Sequence, residues 1–250
     1  MTIRYDCRWS DQVDALFVKN FNHVQDMVFG QGHSEDGFRK LYIDNIYGQS
    51  VVVVVYMDTS PVAARALWRN DLDGKEAYQP GQTCVTEACR GKGIFSEMTR
   101  RAIKMLPDNV LIYNFPNNNS FHGYLKLGWK LMGEYRPRLL LTNKQYKKEH
   151  SEVIPQNYID WWLKDKKGIK YVKYFGEYYL CRHDTPRPYF HVIGRVEKSL
   201  ATQFPKAGNW GLLFYLSNKI SFYNRKYTPV RIVMKGDDNV YVPIWKMDAL

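Results

Sequence analysis

Residues 90–95, Arg-Gly-Lys-Gly-Ile-Phe, combine two glycines with two basic side chains between a predicted strand and a predicted helix. The β-branched run 83–86 precedes them, and from Ile94 onward apolar residues recur at helical spacing. Backbone N–H groups converge at such a helix start, where the helix dipole favours negative charge. The glycines permit positive φ and close approach of a phosphate, and Arg90 and Lys92 add positive charge. Taken alone, the hexapeptide predicts either an anion-binding turn or a tight turn with solvated basic residues.

A second motif follows a predicted buried strand at residues 110–113. Asn117 and Ser120 supply N-cap chemistry for a short helix. Ser120 and Tyr124 are four residues apart and therefore share one face of that helix. Gly128 fits the position just after the helix end, where a left-handed conformation is common. The segment predicts a strand, a capped helix that carries a tyrosine, and a further strand.

Together the two motifs resemble those of the GCN5-related N-acetyltransferase (GNAT) superfamily. Its first motif is Gln/Arg-x-x-Gly-x-Gly/Ala, in which Arg90 fills the first position and Gly93 the central glycine. Its second motif is Asn-x-x-Ala/Ser, then Tyr four residues on, then Gly-Phe or Gly-Trp four further. The residues that match these places are Asn117, Ser120, Tyr124, Gly128 and Trp129.

The resemblance implies a mixed α+β fold with a central, mostly antiparallel, splayed sheet flanked by helices. The family order of strand, two helices, three strands, helix, strand, helix and strand extends from residue 3 to about residue 136. Strands are predicted at residues 51–56 and 62–68 and helices at residues 11–30 and 34–46. We therefore expect an acetyltransferase domain over residues 1–138.

One residue departs from the family pattern. Phe95 stands where most relatives have Gly or Ala, and its ring would either crowd a bound pyrophosphate or turn into the core. The core interpretation is favoured because Gly-Ile-Phe, like residues 38–48, resembles a subgroup common in bacterial surface-glycan gene clusters. In that subgroup a degenerate second acetyltransferase-like lobe follows the active one.

The second half of the chain is more basic than the first. The formal net charge of +11 divides into 17 Lys and Arg against 15 Asp and Glu in residues 1–138, and 19 against 10 in residues 139–250. A basic half can focus an anionic ligand, bind nucleic acid, or be only a solvated surface. We expect a soluble, cytoplasmic protein without membrane association, because the longest apolar run, residues 51–57, is too short to cross a bilayer. The scattered cysteines (Cys7, Cys84, Cys89 and Cys181) lack Cys-x-x-Cys spacing, so no metal is expected.

Residues 139–250 are expected to form a smaller α+β lobe, either a degenerate GNAT-like copy or an unrelated lid. Residues 134–151 are interpreted as a connector. A short helix is predicted at residues 158–164, a second at 199–204, and strands at 169–175, 178–182, 191–196, 211–215 and 230–234. Core packing is the favoured interpretation of the aromatic residues in this half. The candidates for an acceptor wall are Trp161, Trp162, Tyr171, Tyr174, Tyr178, Tyr179 and Arg182.

The resemblance implies transfer of an acetyl group from acetyl-coenzyme A to a primary amine. By position, the backbone of Cys84 and Val85 would hold the pantetheine, which Asn117 and Ser120 would also approach. The N–H groups that would hold the diphosphate belong to the turn after Arg90, namely Gly91, Lys92, Gly93, Ile94 and Phe95. Tyr124 is the predicted general acid, because a phenol of pKa ~10 can protonate a thiolate at modest cost. No general base is assigned: Glu87 is interpreted as a surface carboxylate before the turn, and His122, two residues from Tyr124, lies on a different face of the helix.

Three functions fit these motifs. The subgroup resemblance favours an acetyltransferase acting on an amino sugar, free or nucleotide-linked. A second hypothesis replaces the sugar with a protein or peptide amine or another small amine, although the basic second half disfavours polycations. A third is a catalytically inactive GNAT-fold module that binds nucleic acid; the intact Arg90, Gly93, Asn117 and Tyr124 count against it.

Overall fold

The computed structural model describes residues 2–30, 34–183, 189–208, 212–236 and 240–247. The chain divides into two compact units. Unit 1 consists of Met1–Leu131 and Val233–Val240, and unit 2 consists of Met132–Ile232 and Tyr241–Leu250. Each unit is therefore built from two separate stretches of the chain.

Unit 1 is a sheet flanked by helices. Its elements are β1 (Ile3–Trp9), α1 (Ala15–Phe29), α2 (Glu35–Phe38), β2 (Val51–Met57), β3 (Ser60–Arg69), β4 (Ala77–Val85), α3 (Ile94–Lys104), β5 (Leu111–Asn114) and α4 (Asn118–Lys126). A π-helical turn over Arg39–Ile43 continues α2. Short 3-10 turns occupy Ser10–Gln12 and Glu87–Cys89.

Unit 2 also mixes strands and helices. Its elements are β6 (Lys130–Leu139), α5 (Asn143–Glu149), α6 (Gln156–Tyr158), β7 (Ile169–Tyr174), β8 (Glu177–His183), β9 (Tyr189–Val196), α7 (Lys198–Ala201), β10 (Leu212–Ser217) and the first half of β11 (Val230–Lys235). A π-helical turn over Ile159–Leu163 continues α6, and a 3-10 turn covers Ile244–Lys246. Among the described residues, no helix combines the length and apolarity that crossing a membrane requires.

The sheet of unit 1 has the strand order β1-β2-β3-β4-β5-β11. Strands β1, β2, β3 and β4 are antiparallel to one another in succession, β4 and β5 are parallel, and the second half of β11 returns antiparallel to β5. The register of β4 with β5 contains the pairs Ala77–Leu111 and Tyr78–Ile112, and it ends there. The two strands therefore part toward their carboxyl ends.

The strands of unit 2 follow the order β6-β10-β9-β8-β7. Strands β7, β8 and β9 are antiparallel, β9 and β10 are parallel, and β10 and β6 are antiparallel. This is the same sequence of pairings as β2-β3-β4, β5 and β11 in unit 1. A π-helical turn precedes the first strand of the series in each unit, at Arg39–Ile43 and at Ile159–Leu163.

Most elements lie where the sequence predicted them. The expected class is confirmed: a mixed α+β fold with a mostly antiparallel sheet, splayed between β4 and β5 and flanked by helices. The connector predicted at residues 134–151 is wrong, because β6 continues to Leu139 and α5 occupies much of the rest. Arg136–Leu139 pair with β10, so Pro137 lies within a paired strand. Gly211, the first residue of one predicted strand, lies outside the described residues.

One core of unit 1 lies on the face of the sheet that carries α3 and α4; the other face is also buried, with Phe21, Val52 and Val54 at 0 % exposure. Alternate residues of β2 and β3 point to the core beside α3 and α4, as the two-residue period of a strand requires. Its buried members include Val51, Val53, Val55, Ala63, Leu67, Ile94, Met98, Ala102, Phe121, Tyr124 and Trp129. A separate core in unit 2 is built around Leu140, Tyr146, Tyr179, Cys181, Phe190, Val192, Leu213 and Tyr215. The candidate site of unit 1 is thus anchored in its own core.

Candidate functional site

The turn before α3 leaves its helix N-terminus open to solvent. Gly91 and Gly93 both have φ of +76°, and both are exposed, so the two sharp turns are made without Cβ strain. Gly93 caps α3 without a side chain, and Glu97 N donates the first helical hydrogen bond to Gly93 O at 3.1 Å. The N–H groups of Ile94 and Phe95 therefore have no carbonyl partner within the helix. This is the geometry that binds phosphate at helix N-termini.

Two basic side chains flank this turn. Arg90 is exposed, and its Nε donates to Val85 O at 3.3 Å, which draws the guanidinium toward the end of β4. Lys92 is exposed. Their positive charges add to the partial positive charge at the start of α3. The turn is therefore electropositive and accessible.

The carboxyl end of β4 is paired on one side. Val85 pairs with Ala63 and Cys84 with Ala64 of β3, whereas the register with β5 has already ended at Tyr78. The edge of β4 that faces β5 therefore offers backbone groups to an extended ligand in this part of the described chain. The Cys84 thiol is buried, and burial raises its pKa to about 12, so the side chain is a poor nucleophile.

Asn117 and Ser120 form the N-terminal cap of α4. Asn117 Oδ1 accepts from Ser120 N at 3.0 Å and from Ser120 Oγ at 3.0 Å. Gly128 has φ of +79° just after the helix, as its predicted role at the helix end requires. The caps fix α4 and thereby the position of Tyr124.

Tyr124 lies where β4 and β5 part. It is 1 % exposed, and its ring meets Trp129 edge-on at 4.7 Å between centroids. Burial raises the pKa of Tyr124; the cation of Arg65 opposes this, as do hydrogen bonds with Asn114 of β5 and Thr83 of β4. The hydroxyl therefore lies near polar side chains of both strands, beyond their last shared pair.

Arg65 also belongs to the site, although it lies outside both sequence motifs. It lies on β3, is 0 % exposed, and donates hydrogen bonds to the hydroxyls of Tyr124 and Thr99. Burial lowers the pKa of Arg65, although a guanidinium stays protonated in proteins. The sequence does carry one indication of this residue: it is the single arginine in the apolar run of residues 61–68. A charge buried in such a strand needs specific partners.

A β-bulge lies opposite Arg65. Ala64 pairs with Cys84 and Ala66 pairs with Gly81, so Arg65 alone opposes two residues of β4. One of them, Gln82, has φ of +48°, which is uncommon outside glycine. Bulges of this kind bend a strand and re-aim its side chains, and they are frequent beside active sites.

Helix α1 supports this bulge. Gln25 is 1 % exposed, and its Nε2 donates to Gln82 O at 2.6 Å. The bond satisfies a carbonyl that the bulge turns away from the ladder. The irregular part of β4 is therefore held from both faces of the sheet.

The Phe95 ring turns into the core rather than toward the turn. It meets the Tyr124 ring edge-on at 5.5 Å between centroids, and Arg65 Cζ lies 4.9 Å from its centroid. The ring is part of the layer between α3 and the sheet. The side chain leaves the N–H groups at the start of α3 accessible.

The other candidates fall into two groups. Glu87 and His122 are exposed, in keeping with leaving them unassigned. Of the proposed acceptor-wall residues in unit 2, three are core side chains: Trp161, Trp162 and Tyr179. The remaining four are partly exposed: Tyr171, Tyr174, Tyr178 and Arg182. The described residues contain no cluster of three or more His, Cys, Asp or Glu side chains able to hold a metal ion.

Comparison with known proteins identifies the fold. No protein-family model matches the sequence, and no curated protein matches it either. The structure is similar to a GCN5-related N-acetyltransferase from Kribbella flavida, with a TM-score of 0.55 and 15 % identity over 92 % of this chain and 72 % of that one. A GCN5-related N-acetyltransferase from Anabaena variabilis ATCC 29413 gives a TM-score of 0.56 and 9 % identity, with the same coverage of 92 % and 72 %.

A third solved structure is similar over the same extent. It is a conserved protein of unknown function from Enterococcus faecalis V583, with a TM-score of 0.55 and 13 % identity over 94 % of this chain and 73 % of that one. At these identities the likeness establishes the fold and leaves the chemistry to the residues of the site. The chain therefore has the fold of the GCN5-related N-acetyltransferases.

Proposed function

We propose that this protein is an N-acetyltransferase that transfers an acetyl group from acetyl-coenzyme A to the primary amine of a small molecule. One observation carries the proposal: the Tyr124 hydroxyl lies near Thr83 of β4 and Asn114 of β5, beyond the last shared pair of these two parallel strands, which part beside the open N-terminus of α3. A gap between strands, an anion-binding turn and a proton donor are what this reaction needs. The fold similarity supports the same conclusion.

The residues present fit acetyl-coenzyme A. The turn over Gly91–Gly93 and the N–H groups of Ile94 and Phe95 would hold the diphosphate, with Arg90 and Lys92 supplying positive charge. The unpaired edge of β4 at Cys84 and Val85 would hold the pantetheine through backbone hydrogen bonds.

Helix α4 supplies the other contacts. The Asn117 amide nitrogen donates no hydrogen bond within the described chain, although its oxygen caps the helix, so it can donate to the same ligand. Ser120 orients that amide through its hydroxyl. We therefore keep both residues in the proposed cofactor site.

Tyr124 acts as the proton donor in this proposal. When bound, acetyl-coenzyme A supplies an activated acetyl thioester, whose transfer to an amine leaves a thiolate. Tyr124 would donate its phenolic proton to that sulfur and regain a proton from solvent, to which the amine proton would be released. The raised pKa of Tyr124 keeps the hydroxyl protonated at neutral pH, which is the form that can donate.

Unit 2 is proposed to be a degenerate second copy of the same architecture. Its pairings repeat those of unit 1, and the π-helical turns at Arg39–Ile43 and Ile159–Leu163 occupy corresponding places. The connection from β9 to α7 is the single residue Glu197, which leaves no room for a glycine turn like Gly91–Gly93. Cofactor binding is therefore assigned to residues 1–138, and residues 139–250 are assigned to the acceptor side.

An amino sugar, free or nucleotide-linked, is the proposed acceptor. Support comes from the resemblance of residues 38–48 to the surface-glycan subgroup. The excess of 19 Lys and Arg over 10 Asp and Glu in residues 139–250 favours a neutral or anionic acceptor, such as a nucleotide-linked sugar, over a polycation.

Calorimetric titration of acetyl-coenzyme A tests the cofactor site. We expect micromolar binding to the wild-type protein and a loss of roughly tenfold or more in Arg90→Ala/Lys92→Ala, since contacts to charged groups are worth about 1.5–3 kcal/mol. Arg100→Ala/Lys104→Ala removes the same charge from exposed positions further along α3 and should bind normally. Equal loss in both variants would mean that general charge, not the turn, binds the ligand.

An acceptor screen with thiol release as the readout tests the substrate. Amino sugars, nucleotide-linked amino sugars, peptides with free N-termini and polyamines form its four arms. Release with the sugars supports the proposal, and release with peptides alone would replace the sugar by a protein acceptor. Absence of both binding and release would favour the inactive module, for which steeply salt-dependent RNA binding is the positive test.

A further inference from the structure

Arg65 lies in the interior of unit 1 without a counter-charge. Its side chain is fully buried, and in the described part of the chain no carboxylate lies within ion-pair distance of it. Its hydrogen-bond acceptors are the hydroxyl oxygens of Thr99 and Tyr124, and its Nε has no partner. Removing a guanidinium from water is costly unless its interactions are strong. The burial of Arg65 without a carboxylate partner therefore needs an explanation other than stability.

The groups around the Tyr124 side chain come from several elements of unit 1. Arg65 from β3, Thr83 from β4 and Asn114 from β5 lie near the oxygen, whereas Phe95 from α3 and Trp129 after α4 pack against the ring. Arg65 is the charged one among these groups. Its Cζ lies 5.4 Å from the centroid of the Tyr124 ring.

The donor role of Arg65 fixes the direction of the phenolic hydrogen. Arg65 occupies one lone pair of the Tyr124 oxygen, so the O–H bond must point away from the guanidinium. The other polar side chains near this oxygen belong to Thr83 and Asn114, where β4 and β5 part. The hydrogen therefore points to the place where the proposed reaction requires a proton.

The same cation stabilises the oxygen after the proton has left. A phenolate in this dry environment would otherwise be strongly disfavoured, and the guanidinium offers a charge-assisted hydrogen bond to it. We propose that Arg65 is a positioning residue of the acetyl-transfer site, which orients the Tyr124 hydroxyl and stabilises its phenolate. This inference rests on the proposed function for its catalytic meaning, whereas the coupling between the two side chains can be measured without turnover.

The turnover test compares Arg65→Met and Arg65→Lys, each with Tyr124 and with Tyr124→Phe. With Tyr124 present, we expect Arg65→Met to lower kcat roughly 10- to 100-fold, to leave acetyl-coenzyme A affinity within about twofold, and to move the alkaline limb of the kcat–pH profile upward. Arg65→Lys restores part of kcat because it keeps the charge. In the Tyr124→Phe background Arg65→Met should have no further effect on kcat. The proposal is overturned if Arg65→Met lowers kcat equally with Tyr124 and with Tyr124→Phe. It is also overturned if the alkaline limb of the kcat–pH profile stays where it is in the wild type.

A second measurement does not need activity. Tyrosine labelled with 13C at Cζ gives one resonance per residue, and the Tyr124 signal is the one missing in Tyr124→Phe. We expect this signal to titrate at higher pH in Arg65→Met than in the wild type, and to be unmoved in Arg69→Met, a β3 arginine that pairs instead with Asp71. Identical titration in wild type and Arg65→Met overturns the inference. If the Tyr124 titration moves in Arg65→Met but the wild-type protein transfers no acetyl group, the coupling between Arg65 and Tyr124 is retained. The proposed function is then rejected.

Discussion

Phe95 Cε1 lies 2.8 Å from the position that a Cβ on Gly123 would take, so these two residues interlock between α3 and α4. Gly123 is an interior residue of α4, where alanine would ordinarily be the better helix former. The glycine is therefore explained by the Phe95 ring. The bulky residue that departs from the family motif is accommodated by a missing side chain on the neighbouring helix.

This contact predicts that the effect of Gly123→Ala on the free energy of unfolding depends on the residue at position 95. Gly123→Ala should lower the free energy of unfolding by ~1–2 kcal/mol, because the overpacking cost exceeds the gain in helix propensity. In a Phe95→Leu background the same substitution should be neutral or stabilising by up to ~1 kcal/mol, since the clash is gone. Urea unfolding of the four proteins measures both effects. Equal destabilisation in both backgrounds would contradict the interlock.

A second prediction separates backbone strain from cofactor binding. Gly93→Ala and Gly168→Ala each place a Cβ at positive φ (+76° and +82°) in open space, so each should destabilise its unit by ~1–2 kcal/mol. Only Gly93 precedes α3, so only Gly93→Ala should also weaken acetyl-coenzyme A binding. Thermal unfolding measures the stability of each variant, and calorimetric titration measures its affinity for acetyl-coenzyme A. Normal affinity in Gly93→Ala would remove the turn from the proposed site.

A third prediction concerns the proton donor. Tyr124→Phe should lower kcat by ~10²-fold or more while acetyl-coenzyme A affinity stays unchanged, because the ring still packs against Trp129. Tyr113→Phe is the matched control: its hydroxyl is also buried, but it donates to Asn70 O at 3.0 Å. Both variants should lose ~1–3 kcal/mol of stability through an unsatisfied partner. Normal turnover in Tyr124→Phe would reject the assignment.

A fourth prediction is an acid sensitivity of unit 2. His150 is buried, its Nε2 lies 2.6 Å from Leu216 O, and burial lowers its pKa. The folded chain therefore holds this imidazole neutral, whereas the unfolded chain binds a proton below pH ~6.5. Its contribution to stability is complete above that pH and declines as the pH falls toward the lower pKa of the folded state.

His150→Gln keeps an Nε2 donor for Leu216 O and removes the titration. We expect the urea midpoint of the wild type to fall more steeply between pH 7.5 and 5.5 than that of His150→Gln. His122→Gln is the control, because that histidine is exposed and should leave the wild-type slope intact. Parallel slopes for wild type and His150→Gln would show that other groups cause the acid loss.

The local parts of the site could be predicted from the sequence because short-range geometry determines them. The glycine turn, the start of α3, the cap at Asn117, the left-handed Gly128 and the face that carries Tyr124 depend on residues within a few positions of each other. The strands of unit 1 followed from their apolar runs for the same reason. The sequence ended this strand near residue 136 because Pro137 reads as a loop signal, whereas pairing of Arg136–Leu139 with β10 extends the strand to Leu139.

Tertiary structure decided the relationships between residues far apart in the chain. Arg65 and Tyr124 are 59 positions apart, and a lone charge in an apolar strand shows that a partner must exist without naming it. The β4 bulge, the return of β11 to β5 and the burial of Trp161 and Trp162 likewise depend on long-range pairing and packing. Sequence periods fix which face of an element is apolar, whereas the element that covers that face is chosen by the packing of the whole unit.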